Sequence, residues 1–258
     1  MKASKISVLF LLMMVGIGSL RGQELRDNLA EAAKRAESFN TQGVEKSNAG
    51  KFDEAIELFR QAIGAKPDHT IAYGNLGATL YRAGRFDEAL AVLKKAIQIK
   101  PDFPEAYLRL GAVYSDLGRN DEAVEALHHA VGIRPDFALA YHNLGSVYIR
   151  QQKYKPAIAA LERAAALQPD FAETLVQWGY ALSALKNYDE AVKRIEQAVQ
   201  LNPNDSEAQF FLGQLYLANR DKQSALAQYR KIALLDSQLA KTLYSEIYAN
   251  MLVEVREK

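Results

Sequence analysis

Apolar residues recur along this chain at helical spacing, short polar turns interrupt them, and the whole arrangement returns every 34 residues. The stretch from Pro104 to Phe137, PEAYLRLGAVYSDLGRNDEAVEALHHAVGIRPDF, shows one period most completely. Tyr107, Leu110, Gly111 and Tyr114 mark its first half, and Ala123, Leu127, Ala130 and Pro135 its second. Glycines stand at 43, 77, 111, 145, 179 and 213, alanines at 55, 89, 123, 157, 191 and 225, and prolines at 67, 101, 135, 169 and 203. Each period therefore predicts two helices. A turn divides them, seen as Gly50-Lys51-Phe52, Gly84-Arg85-Phe86 and Gly118-Arg119-Asn120, where glycine can adopt the left-handed backbone that stops a helix. The small Gly and Ala positions predict close helix contacts, and the closing proline ends the second helix.

Aromatic-x2-Leu-Gly-x2-Tyr, then Ala-x3-Leu-x2-Ala, then Pro, at a period of 34, resembles the signature of the tetratricopeptide repeat (TPR) family. The resemblance covers residues 36–239 in six units: 36–69, 70–103, 104–137, 138–171, 172–205 and 206–239. It implies an all-α, right-handed α-solenoid of six TPR helix pairs, with a first helix at about positions 1–14 of each unit and a second at about 17–31. Residues 240–258 are expected to add a capping helix, with Ala240, Tyr244, Ile247, Tyr248, Met251, Leu252 and Val255 on one stripe. The alternative for that helix is partner binding or self-association. Upstream, residues 23–35 form a helical lead-in: Leu25, Leu29, Ala32, Ala33, Ala36 and Phe39 share one face, which is expected to lengthen the first helix and cover the end of the array.

The first residues read as an address. Lys2 and Lys5 precede the uncharged run Ile6–Leu20, and small residues follow at Gly16, Gly18, Ser19 and Gly22. That order is a secretory signal peptide over residues 1–22; the alternative is an uncleaved anchor at residues 6–20. The expected location is outside the cytoplasm, periplasmic or extracellular, and the family resemblance extends to exported bacterial proteins that serve envelope assemblies.

Composition removes several chemistries. The chain has no cysteine, so disulfides, thiolate metal sites and cysteine nucleophiles are excluded. Its 32 basic and 31 acidic residues give a formal charge of +1, and no long run of one sign suggests nucleic acid. The Asp-Glu pairs at 53–54, 87–88, 121–122 and 189–190 recur where second helices begin, where carboxylates complement the helix dipole, so they are no active site. His128 and His129 are adjacent, about 100° apart on a helix, and cannot share a metal from one face. Trp178, at the leucine position of its unit, is expected to pack. No enzyme, cofactor or metal is expected.

The family turns six positions of each first helix towards a concave groove. The resemblance places Tyr81 and Arg82 there in the second unit, Arg109 in the third, His142, Asn143, Ser146 and Arg150 in the fourth, Tyr180 in the fifth, and Phe210 and Gln214 in the sixth. The positions matching the carboxylate clamp of TPR co-chaperones hold Asn40, Val44, Asn75, Glu105 and Arg109; only Asn75 and Arg109 fit, and Glu105 has the wrong charge. The expected function is a non-catalytic scaffold that binds a protein or peptide segment in the groove, beyond a membrane. The alternatives are a structural subunit assembling through residues 240–258 and the end faces, or an accessory module of an enzyme carried by another chain.

Overall fold

The computed structural model describes the backbone of residues 3–256 and the side chains of residues 23–249. The signal-peptide and anchor readings of residues 1–22, and the placement of Met251, Leu252 and Val255 on the last stripe, lie outside the described side chains. Among the described residues every regular element is a helix. The chain divides into two compact units, Met1–Arg109 and Leu110–Lys258.

The first unit holds α1 (Ala3–Asn48), α2 (Phe52–Ala65), α3 (Thr70–Arg82) and α4 (Phe86–Ile99), and the opening of α5 (Pro104–Asp116). The short turn after α1 folds α2 back along it, so that a Cβ added at Gly43 would stand 2.7 Å from the Phe59 ring. Gly77 meets Leu93 in the same way, at 2.6 Å. Helices approach this closely only where one side has no side chain. With 14 residues, α2 is about 21 Å long and reaches only the last turns of a helix of 46 residues. Packing on α1 accordingly begins near Ala36, which is fully buried. The lead-in lengthens α1; Leu25 and Leu29 on its face are 61% and 62% exposed, while Ala32 and Ala33, nearer the first turn, are half-buried.

The second unit continues with α6 (Asn120–Ile133), α7 (Ala138–Arg150), α8 (Tyr154–Leu167), α9 (Ala172–Ala184), α10 (Tyr188–Leu201), α11 (Ser206–Ala218), α12 (Lys222–Ile232) and α13 (Ser237–Arg256). Gly111 fits Leu127, Gly145 fits Leu161 and Gly179 fits Ile195, each with room for no Cβ. The periodic alanines at 123, 157, 191 and 225 are all fully buried. The last pair breaks the rule. Tyr229 stands where the earlier units place Phe59, Leu93, Leu127, Leu161 and Ile195, and Gly213 takes Leu243 of α13 instead. The buried line of α13 is therefore Ala240, Leu243 and Ile247, while Tyr244 and Tyr248 are half exposed, a rotation from the expected stripe. Tyr229 packs its ring against Tyr244, with centroids 5.3 Å apart.

The helix-to-helix turns keep one conformation with different residues. Gly50, Gly84 and Gly118 have φ near +73°, at 74°, 73° and 73°, and the next three turns place Gln152, Lys186 and Arg220 at 57°, 63° and 63°. Each Asp-Glu pair sits in the first turn of α2, α4, α6 or α10. Arg85 donates to Glu88 at 2.7 Å and Arg119 to Glu122 at 2.9 Å, which ties the turn to the helix it starts.

Candidate functional site

In the first unit the facing sides of α1 and α3 are joined by polar side chains. Asn75 donates to the Asn40 side-chain Oδ1 at 3.0 Å, the Ser47 and Thr79 hydroxyls lie 3.0 Å apart, and Arg82 donates to Ser47 at 3.1 Å. Arg82 also lies 4.9 Å from the Phe52 ring, so its guanidinium is held at both ends of its reach. Tyr81 turns towards Phe86, with ring centroids 5.8 Å apart. Arg109 is half-buried; one of its terminal nitrogens lies 3.5 Å from the place a Cβ on Gly74 would take. Burial pulls its pKa below the ordinary arginine value, and Glu105 partly offsets this. Ile71, also on α3, is 55% exposed.

In the second unit α7 and α9 close on one another. His142 is buried and its Nδ1 lies 2.9 Å from the Thr174 hydroxyl. Its ring packs on Phe171 at 4.7 Å between centroids. Burial holds its pKa below the usual histidine value, with Glu173 pulling the other way. Ser146 donates to the Gln177 carbonyl oxygen at 2.6 Å, and Gln177 lies 3.4 Å from His142 Nε2. Arg150 donates to the Ser115 carbonyl at 2.8 Å and reaches Asp116 at 3.5 Å. Asn143 is half-buried beside His142 on α7. These side chains hold neighbouring first helices together.

The step from α9 to α11 is different. Tyr180 is 47% exposed, and its ring lies 6.4 Å from that of Phe211. Leu139, at the start of α7, is 42% exposed. Phe210 packs into the cluster of Ala225, Ile232, Ala240, Leu243 and Ile247. Gln214 donates to the Glu246 carboxylate at 3.1 Å. Of the residues singled out from sequence, His142 and Ser146 are brought together through Gln177, Tyr180 is paired with Phe211, and Phe210 and Gln214 are tied to α13. Thr174 was the residue the sequence reading missed. Its signal is positional, because the equivalent sites hold Ala72, Ala106, Ala140 and Ala208.

Among the described residues no group of three or more acidic, histidine or cysteine side chains could hold a metal ion, and no helix is long and apolar enough to cross a membrane.

Family models described as tetratricopeptide repeat match residues 48–112, 80–144, 138–171 and 176–240, which together span most of the chain. Among solved structures, the MamA protein is 27% identical, with a TM-score of 0.57 over 67% of this chain and 95% of MamA. YrrB, described as a TPR protein with an unusual peptide-binding site, is 24% identical, with a TM-score of 0.62 over 72% of this chain and 97% of its own. PilF of Pseudomonas aeruginosa is 16% identical, with a TM-score of 0.74 over 84% and 99%. The last two likenesses carry the fold alone. A search of curated proteins finds no match. The 34-residue lattice, the glycine-to-leucine helix contacts that realise it, and the family models along its length agree: this chain belongs to the tetratricopeptide repeat family.

Proposed function

We propose that this protein is a non-catalytic scaffold that holds a peptide or protein segment on the first-helix face of its second unit, with Tyr180 at the centre. The observation that carries this reading is the exposure of Tyr180, 47%, at a position where Ser146 and Gln214 are engaged within the fold. A tyrosine half in water beside Phe211 offers apolar area with a polar tip, the side-chain type that dominates contact energies. Leu139 extends the apolar surface along α7. The peptide-binding site of YrrB and the protein-binding habit of the family support the same use. Purified protein immobilised as bait, in wild-type and Tyr180→Ala forms, tests it. Partners should be retained by the first and lost by the second, with unchanged helicity.

A second reading has its own observation: Tyr244 and Tyr248 of α13 are 50% and 55% exposed on the end element. That face would serve self-association or assembly into a larger complex. Light scattering of the wild type and of Tyr244→Ala/Tyr248→Ala distinguishes the readings, since only assembly through α13 changes mass. The place of action we propose is beyond a membrane, on the strength of Lys2, Lys5 and the uncharged run 6–20. N-terminal sequencing of the mature protein should begin between Ser19 and Glu24; a cytosolic product that keeps Met1 rules out export.

A further inference from the structure

Two departures of the fifth period from the lattice, and one of the period before it, lie at the same place. Trp178 occupies the position of Leu76, Leu110, Leu144 and Leu212, and of Gln42 in the first unit. Arg194 occupies that of Leu58, Val92, Ala126 and Ala160, which becomes polar again only at Gln228 in the last unit. On α8, Ala165 stands where four other units have Ile63, Ile97, Val131 and Val199, and the last has Ala233. All three line one cleft of about 530 Å³ among α8, α9 and α10, a size in the range of ligand-binding pockets.

The cleft contains unmet hydrogen-bonding capacity. Four buried side-chain polar atoms lack a partner among the described residues, and the two in this cleft, Trp178 Nε1 and Arg194 Nε, are both N–H donors. Buried donors are nearly always paired, so an unpaired pair in one cleft calls for acceptors from outside. The Arg194 guanidinium carbon lies 4.1 Å from the Trp178 ring centroid, and one terminal nitrogen donates to Gln197 at 3.1 Å. The ring and the amide thus hold the guanidinium in place, and Nε–H is its buried donor without a partner.

The lining also defines what would fit. Its charged residues are Glu162 and Arg194, which cancel, and Leu175, Leu201 and Ala165 contribute apolar wall. An anion would meet Glu162 and a cation would meet Arg194. A neutral acceptor with an apolar side chain beside it meets neither objection, and a peptide backbone supplies both. We propose that this cleft is a second docking site, which takes an extended, uncharged peptide segment with its backbone carbonyl oxygens on Trp178 Nε1–H and Arg194 Nε–H and an apolar side chain against Leu175 and Leu201. Both donors are covered in the free protein, so entry requires the Arg194 side chain to turn off the indole. The site is separate from the Tyr180 surface, because two residues along α9 place Trp178 and Tyr180 about 200° apart. It stands or falls independently of the function proposed above.

Trp178 is the single tryptophan of the chain, so its indole N–H gives one resolved signal in a nitrogen–proton correlation spectrum. The probes are three tripeptides, acetylated and amidated at their ends, with a central Leu, Asp or Lys between alanines. The Leu peptide should move the indole proton downfield and saturate, and the Asp and Lys peptides should bind about tenfold more weakly, since either buries a charge. Arg194→Lys keeps the charge and removes Nε–H; it should weaken the Leu peptide about fivefold to tenfold, the loss of one hydrogen bond. Tyr180→Ala should leave the titration unchanged. The proposal is overturned by an indole signal that ignores the Leu peptide, by equal response to the Asp peptide, or by loss of the response in Tyr180→Ala. Circular dichroism of each variant confirms that the helices are retained, and Trp178→Phe, followed by calorimetry, repeats the test with the other donor removed.

Discussion

Ser146, Tyr180 and Gln214 occupy the same position in three successive first helices, and they do three different things. On α7, Ser146 is bonded to Gln177 beside the buried His142–Thr174 pair, and the step to α9 is closed by polar contacts. On α9, Tyr180 stands half in water beside Phe211. On α11, Gln214 is bonded to Glu246 of the last helix. A position that the family turns towards its groove is thus an opportunity for binding and nothing more. What decides its use is whether the next first helix offers a hydrogen-bond partner at the right height. Where it does, the side chain is structural; where it offers an aromatic edge, the side chain remains open to a partner.

The largest effect should come from breaking the frame that both steps share. Gly145→Leu puts a side chain where even a Cβ would lie 2.4 Å from Leu161 Cγ, and Gly111→Leu does the same at 2.6 Å from Leu127. Overpacking of this kind costs about 1–3 kcal/mol, which lowers Tm by several degrees in a protein of this size. An unchanged Tm for both would contradict the close-contact reading of the glycines.

The next test separates the closed step from the open one. Thr174→Val keeps the shape but removes the hydroxyl from a fully buried site, leaving His142 Nδ1 without its partner, at a cost of about 1–3 kcal/mol. Tyr180→Ser should change stability by no more than about 0.5 kcal/mol, as surface substitutions do. Chemical denaturation of the two variants measures the difference. Equal destabilisation would erase the distinction between the two steps.

Acid sharpens the same contrast. The folded state holds His142 below its ordinary pKa, so between that lowered value and about 6.5 the unfolded chain binds more protons. Its contribution to stability is therefore complete above about pH 6.5 and is lost as the pH falls through this window. The groups around the ring are Thr174, Gln177 and Phe171, with the Glu173 carboxylate opposing the shift. His142→Gln should flatten that part of the stability–pH curve, and Tyr180→Ser should leave it intact.

Much of this was legible in the sequence, and the reason is physical. The glycine, alanine and leucine positions meet their partners within one helix pair, so a single period states both sides of each contact. The polar closure of α7 on α9 joins residues 31 to 35 positions apart, and it depends on burial that the pattern does not encode. His142 and Arg150 read as free groove residues for that reason, although the fold gives each a partner. The rotation of α13 was hidden similarly, since Leu243, outside the repeating units, seats against Gly213 while Tyr229 packs on Tyr244.

The smallest effect concerns the turns. Lys186 holds φ at 63° where the earlier turns use glycine, a conformation that disfavours residues with a Cβ. Lys186→Gly, after α9, should therefore be neutral or stabilise by up to about 1 kcal/mol, because relief of strain outweighs the added freedom of the unfolded chain. Gly118→Ala, before α6, should destabilise by a similar amount. Thermal melts compare the two.

The central claim, that the open aromatic step is where a partner binds, is tested most directly by site-specific crosslinking. A photoreactive benzophenone residue is placed at Tyr180, and separately at Tyr248, in protein expressed in its own cells. Crosslinks to a partner from position 180, absent from position 248, are the result this account predicts. Crosslinks from position 248 alone would contradict it and move binding to the last helix.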